Sequence, residues 1–212
     1  MGRFSANDIE NYGNSAKSSF FRLVNNGDTE KVRFMYNGAE DIEGYAVHEI
    51  EDSDGRKRYV NCLREYNEPK SKCPFCEANN FQKVKLYLPL YIESTGEVKL
   101  WERGKQFYKK LSSLCARYSS ADKPFCSHIF EIERQGEAGD QHTTYEPYYI
   151  SSDNTTLDDL PEAPTVIGTI ILDKSEDDMR YYLEHRRFPE GVTNDSESGV
   201  RRRTPSGRKE EF

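Results

Sequence analysis

The sequence predicts a mainly β protein of the α+β class: a small, closed or nearly closed barrel, with one helix inserted between its strands and a second helix towards the C-terminus. Three observations carry this. Short β-rich runs recur at fairly even spacing, with Gly-containing turns between them. One segment, 104–118, replaces the two-residue period with a helical one. A His and three Cys fall within 29 residues, from His48 to Cys76, too dense a group of soft ligands for a featureless loop.

Residues 1–17 are polar and rich in Asn and Ser, which predicts a flexible arm. SSFFRLV and KVRFMYN flank NNGD and predict a first hairpin. GYAVHEI and RKRYVNCL flank EDSDG and predict a second, turning at Asp54-Gly55. QKVKLYLPLYIES and GEVKLWER predict a third, across Ser94-Thr95-Gly96. In GKQFYKKLSSLCARY, residues Phe107, Leu111, Leu114, Cys115 and Tyr118 share one helical face. SHIFEIERQG and TTYEPYYIS predict two further strands. From 151 the composition changes. SSDNTTLDDLPEAP reads as a linker, PTVIGTIILDK as a strand, and Ser175 with Asp178 as a capping box ahead of MRYYLEHRR. Acid in the first turn, Arg186 and Arg187 in the last, and Pro189 beyond complete that helix. EGVTNDSESGVRRRTPSGRKEEF has almost no apolar content and predicts disorder. The division is thus an arm over 1–17, a barrel domain over 18–150 with a subdomain at 48–76 inside it, an acidic linker and helix over 151–189, and a disordered tail over 190–212.

Hydrophobic residues make up 35% of the 212 and charged residues 32%, so a core forms but part of the chain stays unpacked. No run of about 18 apolar residues exists to span a membrane. MGRFSANDIENYGN lacks the apolar stretch of a secretory signal. Five Cys, an odd number, favour metal binding and free thiols in a cytoplasmic protein over a disulfide framework. The net charge of −7 conceals a division. Residues 28–54 carry 2 basic and 9 acidic groups, 56–117 carry 14 and 6, and 151–197 carry 4 and 12. A basic centre in an acidic chain predicts a polyanion-binding surface.

Cys73-Pro-Phe-Cys76 is a tight knuckle whose two sulfurs can reach one ion. His48 and Cys62 sit on opposite arms of the second hairpin, and a three-residue loop over Asp54–Arg56 would set them face to face. Hairpin and knuckle would then supply two ligands each, a set that suits zinc. Four protein ligands close the site, so the metal is expected to be structural. Cys126-Ser-His128 is a weaker source of a replacement ligand, and Cys115 reads as a buried small hydrophobe.

In KVKLYLPLYI, Val84, Leu86, Leu88, Leu90 and Ile92 fall on one face, and Lys83, Lys85, Tyr87, Pro89 and Tyr91 on the other. In the following run Val98 and Leu100 alternate with Lys99, Trp101 and Arg103. The expectation is two neighbouring strands burying aliphatics on one side and presenting cations mixed with rings on the other. Arg58, Tyr59, Arg64 and Tyr66 lie just upstream, and Lys105, Lys109 and Lys110 just downstream. Cations meet phosphates, and exposed rings stack unpaired bases at roughly 1–3 kcal/mol per base. The expected single-strand contacts are Arg58, Tyr59, Lys83, Lys85, Tyr87, Tyr91, Lys99, Trp101, Arg103 and Lys105. On this reading Trp101→Ala weakens strand binding and leaves the melting temperature nearly unchanged.

With the order His48, Cys62, Cys73, Cys76, the chain resembles the zinc-containing single-stranded DNA-binding proteins of bacteriophages. KVRFMYNGAEDIEGYAVHEI and FEIERQGEAGDQHTTYEPYYI are also similar to the oligonucleotide-binding (OB) domains of phages infecting Gram-positive bacteria. Over roughly 18–150 the resemblance implies an OB-fold barrel with an inserted zinc subdomain. It also implies a coat for single-stranded DNA in phage replication, recombination and repair, in the host bacterial cytoplasm. Phage or host replication proteins would be partners of the acidic C-terminal region, which could also compete with DNA for the basic groove. RNA fits the same chemistry. A zinc-ribbon interaction or transcription-regulatory module is the main alternative. A metal-dependent nuclease lacks a compact carboxylate cluster beyond Glu40, Asp41 and Glu43.

Overall fold

Alternating aliphatics and a turn at each end make β4 (Gln82–Ile92) the longest strand and the organiser of the sheet. It is seen in a computed structural model that describes residues 19–51, 55–137, 139–140 and 142–189. The arm expected over 1–17, most of the turn of the second hairpin and the tail expected over 190–212 lie outside the described residues.

The other strands are β1 (Thr29–Phe34), β2 (Tyr45–Glu51), β3 (Lys57–Asn61), β5 (Val98–Gly104), β6 (His128–Gln135), β7 (Thr144–Ser152) and the short β8 (Ile171–Leu172). Three helices accompany them: α1 (Pro74–Glu77), α2 (Phe107–Tyr118) and α3 (Glu176–His185). The sheet is mixed and eight-stranded, ordered β7-β6-β1-β4-β2-β3-β8, with β5 on the free part of β4. Its C-terminal half pairs with β1, its N-terminal half with β2, and β5 runs along the opposite edge. The ladders do not return on themselves among the described residues, so the sheet is open, and strand pairing does not close the barrel expected as closed or nearly closed. At the seam β5 and β7 meet through side chains: the Trp101 and Tyr145 rings lie 5.5 Å apart. Helix α2 braces the seam, with Lys110 Nζ donating to Tyr145 O at 3.0 Å.

The largest core cluster gathers Val32, Phe34, Leu86, Leu88, Leu90, Trp101, Leu111, Phe130 and Ile132. The first expected hairpin does not form. Asp28 accepts from the amides of Val24 and Asn25 and makes a turn, but Ser19–Phe21 then runs along β5, with Phe21 N donating to Leu100 O at 2.9 Å. That placement buries Phe21 against Trp101, which pairing with β1 would not do. The segment expected as a strand at 164–174 contributes only the two residues of β8, parallel to β3. Helix α3 is capped by Ser175, as expected. No helix among the described residues is long and apolar enough to cross a membrane.

Arg33 is buried on β1 and locks the sheet to residue 153. It makes a bidentate pair with Asp153, at 2.9 and 2.6 Å, and a third bond to Glu93. The Arg33 hydrogen bonds hold the Asp153 carboxyl well below its ordinary range. A depressed carboxyl adds stability above its unfolded pKa and loses it as pH falls through the folded one. Asp153→Asn should therefore lower stability near neutral pH, by on the order of 1 kcal/mol once solvent screening is allowed for. Thermal melts should show that gap narrowing as pH falls below about 4; a gap unchanged into strong acid would rule the pair out as its source.

Candidate metal centre and strand-binding surface

β2 carries His48 inward, and Cys62 follows β3 with its amide bonded to Ala46 O at 2.9 Å. The register pairs His48 with Val60, not Cys62, because Glu51 faces Lys57 and the turn spans five residues. The face-to-face placement expected for His48 and Cys62 is thus corrected to a diagonal one. Side chains two positions apart on adjacent strands share a face, so both still point at one spot. The knuckle is α1, entered through Cys73 and fixed by Pro74 at its first position.

The four donor atoms lie within 4.8 Å of one another. Cys62 Sγ and Cys76 Sγ are 3.7 Å apart, and His48 Nε2 is 3.4 Å from Cys73 Sγ and 3.6 Å from Cys76 Sγ. A tetrahedral ion with sulfur bonds of about 2.3 Å and a nitrogen bond of about 2.0–2.1 Å has edges of roughly 3.5–3.8 Å. The cluster fits such an ion and can hold a metal. Burial lowers the His48 pKa, which favours the neutral imidazole that metal binding requires. Burial pushes the Cys62 thiol up to about 12 and raises Cys76 as well. Three clustered thiols disfavour three adjacent negative charges, and a bound cation offsets that cost. Phe75 lies beneath the cluster, and α3 closes it from the other side, with Met179 Sδ 3.9 Å from Cys73 Sγ. Cys126 and His128 take no part: Cys126 Sγ faces Thr155 O, and His128 Nδ1 lies between Ser127 Oγ and Pro124 O.

The expected strand-binding face is rearranged. β4 buries Leu86, Leu88, Leu90 and Ile92 as expected, while Val84 lies beyond the core and is exposed. On β5 the facing is the reverse of that expected. Trp101 opposes Leu88, Lys99 opposes Leu90 and Arg103 opposes Leu86. Directly opposed residues share a face, so Trp101 enters the core at 2% exposure. The cause is the turn. Ile92 N bonds Glu97 O at 2.9 Å, leaving four residues in the loop, and an even loop matches even positions on β4 with odd ones on β5. Both faces of β5 are buried, so alternation alone could not orient it. Counting the loop through Gly96, whose φ of 70° favours glycine there, is the signal that would have.

The opposite face has its own cover. Tyr87, 3% exposed, packs with Val47 and Leu100 under Val166 and Ile171 of the C-terminal segment. Neither Trp101 nor Tyr87 has a ring face to offer a base. Tyr91 is half-buried. Three of the cations are matched by carboxylates: Lys83 with Glu49 at 2.7 Å, Lys85 with Glu102 at 2.6 Å, and Lys99 with Glu97 at 3.5 Å. Lys85 also lies 4.9 Å over the half-buried Tyr59 ring. Arg103 stacks on Trp101 and Tyr145 at the seam. Arg58 and Lys105 are exposed on separate elements.

Exposed rings occur elsewhere. Tyr66 is 94% exposed and Phe81 81% exposed. Both flank the candidate ligands: Tyr66 sits between Cys62 and Cys73, and Phe81 between Cys76 and β4. Arg64 Nη2 donates to Gln82 Oε1 at 2.7 Å and ties the two loops together. Lys70, Lys72 and Lys83 are exposed nearby in sequence, and 56–85 carries eight Lys/Arg against three Asp/Glu. Phe81 has no periodic signal and was missed from the sequence.

No protein-family model, no curated protein and no solved structure matches this chain.

Proposed function

We propose that the protein binds single-stranded DNA with little regard to sequence, through the loops that a structural zinc ion holds in place. The observation that carries this is the near-complete exposure of Tyr66 and Phe81 on two metal-held, basic loops. Two exposed rings beside exposed cations offer flat faces on which unpaired bases can stack. Duplex DNA keeps those base faces covered, so the surface favours single strands. RNA suits it equally, since stacking does not read the 2′-hydroxyl.

Strand order supports the reading. β1, β4, β5, β6 and β7, with α2 between β5 and β6, follow the course of an OB barrel left open between β5 and β7. In that description β4 and β5 are the second and third barrel strands, which form the oligonucleotide-binding face of OB folds. The metal subdomain enters between the first and second strands, and Phe81 immediately precedes the second. The C-terminal segment around Val166 covers part of this face, leaving the metal-bound end for a strand.

Three thiols and an imidazole in a tetrahedron favour zinc over harder cations. Four protein donors leave no position for a reacting water, so we assign the ion a holding role and no catalysis. The ligand spacing, through its resemblance to phage proteins, extends the reading to phage DNA replication, recombination and repair.

Phe81→Ala and Tyr66→Ala should each weaken binding of fluorescent oligo(dT) by about 1–3 kcal/mol with melting temperatures almost unmoved. Retained affinity in both variants would dismiss these loops as the binding surface. Exposed rings also suit a protein partner, and an absence of oligo(dT) affinity in the metal-loaded protein would favour that alternative.

A further inference from the structure

Two arginines at the seam share one ring, and neither has a carboxylate within ion-pair distance among the described residues. Arg103 Cζ lies 3.8 Å and Arg134 Cζ 5.8 Å from the centre of the Tyr145 ring. Arg103 is also 4.1 Å from the Trp101 ring, so two aromatic side chains fix its plane. Arg134 is 9% exposed and gives its hydrogens to neutral acceptors: Gly136 O, Leu23 O, Glu137 O, Thr143 Oγ1 and Tyr145 Oη. Arg103 Nε is buried with no hydrogen-bond partner. Among the described residues neither arginine makes an ion pair. Glu102 lines the same cleft, but its carboxylate is held by Lys85 at 2.6 Å. Asp28 attracts Arg134 from a distance, but its carboxylate accepts from the amides of Val24 and Asn25 and makes no hydrogen bond to the guanidinium. Burial foremost, and repulsion from Arg134, lower the Arg103 pKa, while Tyr145 and Glu102 act the other way.

Buried charge is ordinarily paired, because an unpaired guanidinium gives up hydration without return. Here two lie side by side, and Arg22 stands exposed at the rim. The cleft they line has a volume of about 420 Å³, within the range of small-ligand sites. A planar guanidinium held in place at the wall of a cleft matches the oxygens of a phosphate group.

We propose that this seam cleft is a phosphate-binding site, with Arg103 as the principal donor and Arg22 as an auxiliary one. Its ligand is a phosphate ester, borne either by a nucleic acid backbone or by a free nucleotide. It uses no residue of the metal-held loops and stands independently of strand binding there.

Trp101 is the protein's one tryptophan and touches Arg103, so its emission reports on the site. The metal-loaded protein would be titrated with inorganic phosphate, with dTMP and with (dT)4, against chloride at matched ionic strength. The Nε–H signal of Arg103 would be followed in parallel by ¹⁵N NMR. A saturable change is expected with the phosphates and none with chloride. Arg103→Gln should weaken it at least about tenfold, and Arg22→Gln by roughly two- to fivefold. Tighter binding of (dT)4 than of dTMP assigns the site to a strand, and the reverse order assigns it to a free nucleotide. The proposal fails if no phosphate ligand moves Trp101 or the Arg103 Nε–H up to about 20 mM, or if the response survives intact in Arg103→Gln. Should that variant not fold, the wild-type Nε–H signal decides alone.

Discussion

Cys73→Ser should release the metal and cost several kcal/mol of stability, a large part of the roughly 5–15 kcal/mol that holds a typical domain together. Cys73 is fully buried between Phe75 and Met179, and its sulfur is a corner of the donor tetrahedron. Its loss removes the ion from β2, the Cys62 segment and α1 at once, and metal binding free energy in such sites is folding free energy. The damage should be local. The cluster beneath the metal contains Ile50, Val60, Phe75, Met179 and Tyr182 and shares no residue with the core around Trp101. Chelation, followed by hydrogen exchange, should deprotect 45–80 and 176–185 while Trp101 fluorescence barely changes. Metal analysis should give one zinc per chain, lost in the variant. If chelation leaves exchange at 45–80 as it was, the four donors are not a metal site.

Trp101→Ala should be the most damaging single core substitution. The ring meets Phe21, Phe107 and Tyr145 edge-on, at centroid distances of 5.7, 4.9 and 5.5 Å, and supports Arg103. Truncating a buried tryptophan costs about 3–5 kcal/mol. For a domain of this size each kcal/mol is worth roughly 2–4 °C, so the melting temperature should fall by about 6–20 °C. Trp101→Phe, which keeps ring contacts, should fall much less. A drop within about 2 °C for the alanine variant would return Trp101 to the surface, where its sequence neighbours Lys99 and Arg103 suggested it lay.

Those neighbours show where the sequence stops being informative. Strands β2, β3, β4, β5, β6 and β7 and helices α2 and α3 were legible because period and turn chemistry agreed in each. The clustering of His48, Cys62, Cys73 and Cys76 was legible because a hairpin and a knuckle bring distant residues together by local geometry alone. The orientation of β5 was not: Leu100 and Trp101 are both buried, and a strand covered on both sides has no polar face to betray its direction. The cover over Tyr87 was hidden for a related reason. Val166 and Ile171 belong to a segment that reads as a strand of its own, and nothing in its sequence says which face it covers; only tertiary packing lays it over Tyr87. The basic character of 56–117 was readable, but pairing by Glu49, Glu97 and Glu102 comes from cross-strand and near-neighbour contacts that a charge count cannot anticipate. α3 was legible as a helix, but its docking on Phe75 through Tyr182 was not, because that is a long-range contact.

The central claim is that zinc-held loops present Tyr66 and Phe81 to an unpaired strand. Anisotropy of fluorescent oligo(dT), titrated with the metal-loaded protein at two salt concentrations, tests it most directly. Saturable binding that weakens with salt is expected, at a log–log slope of about −0.7 for each phosphate neutralised. No binding at low salt, or an affinity indifferent to salt, would contradict it.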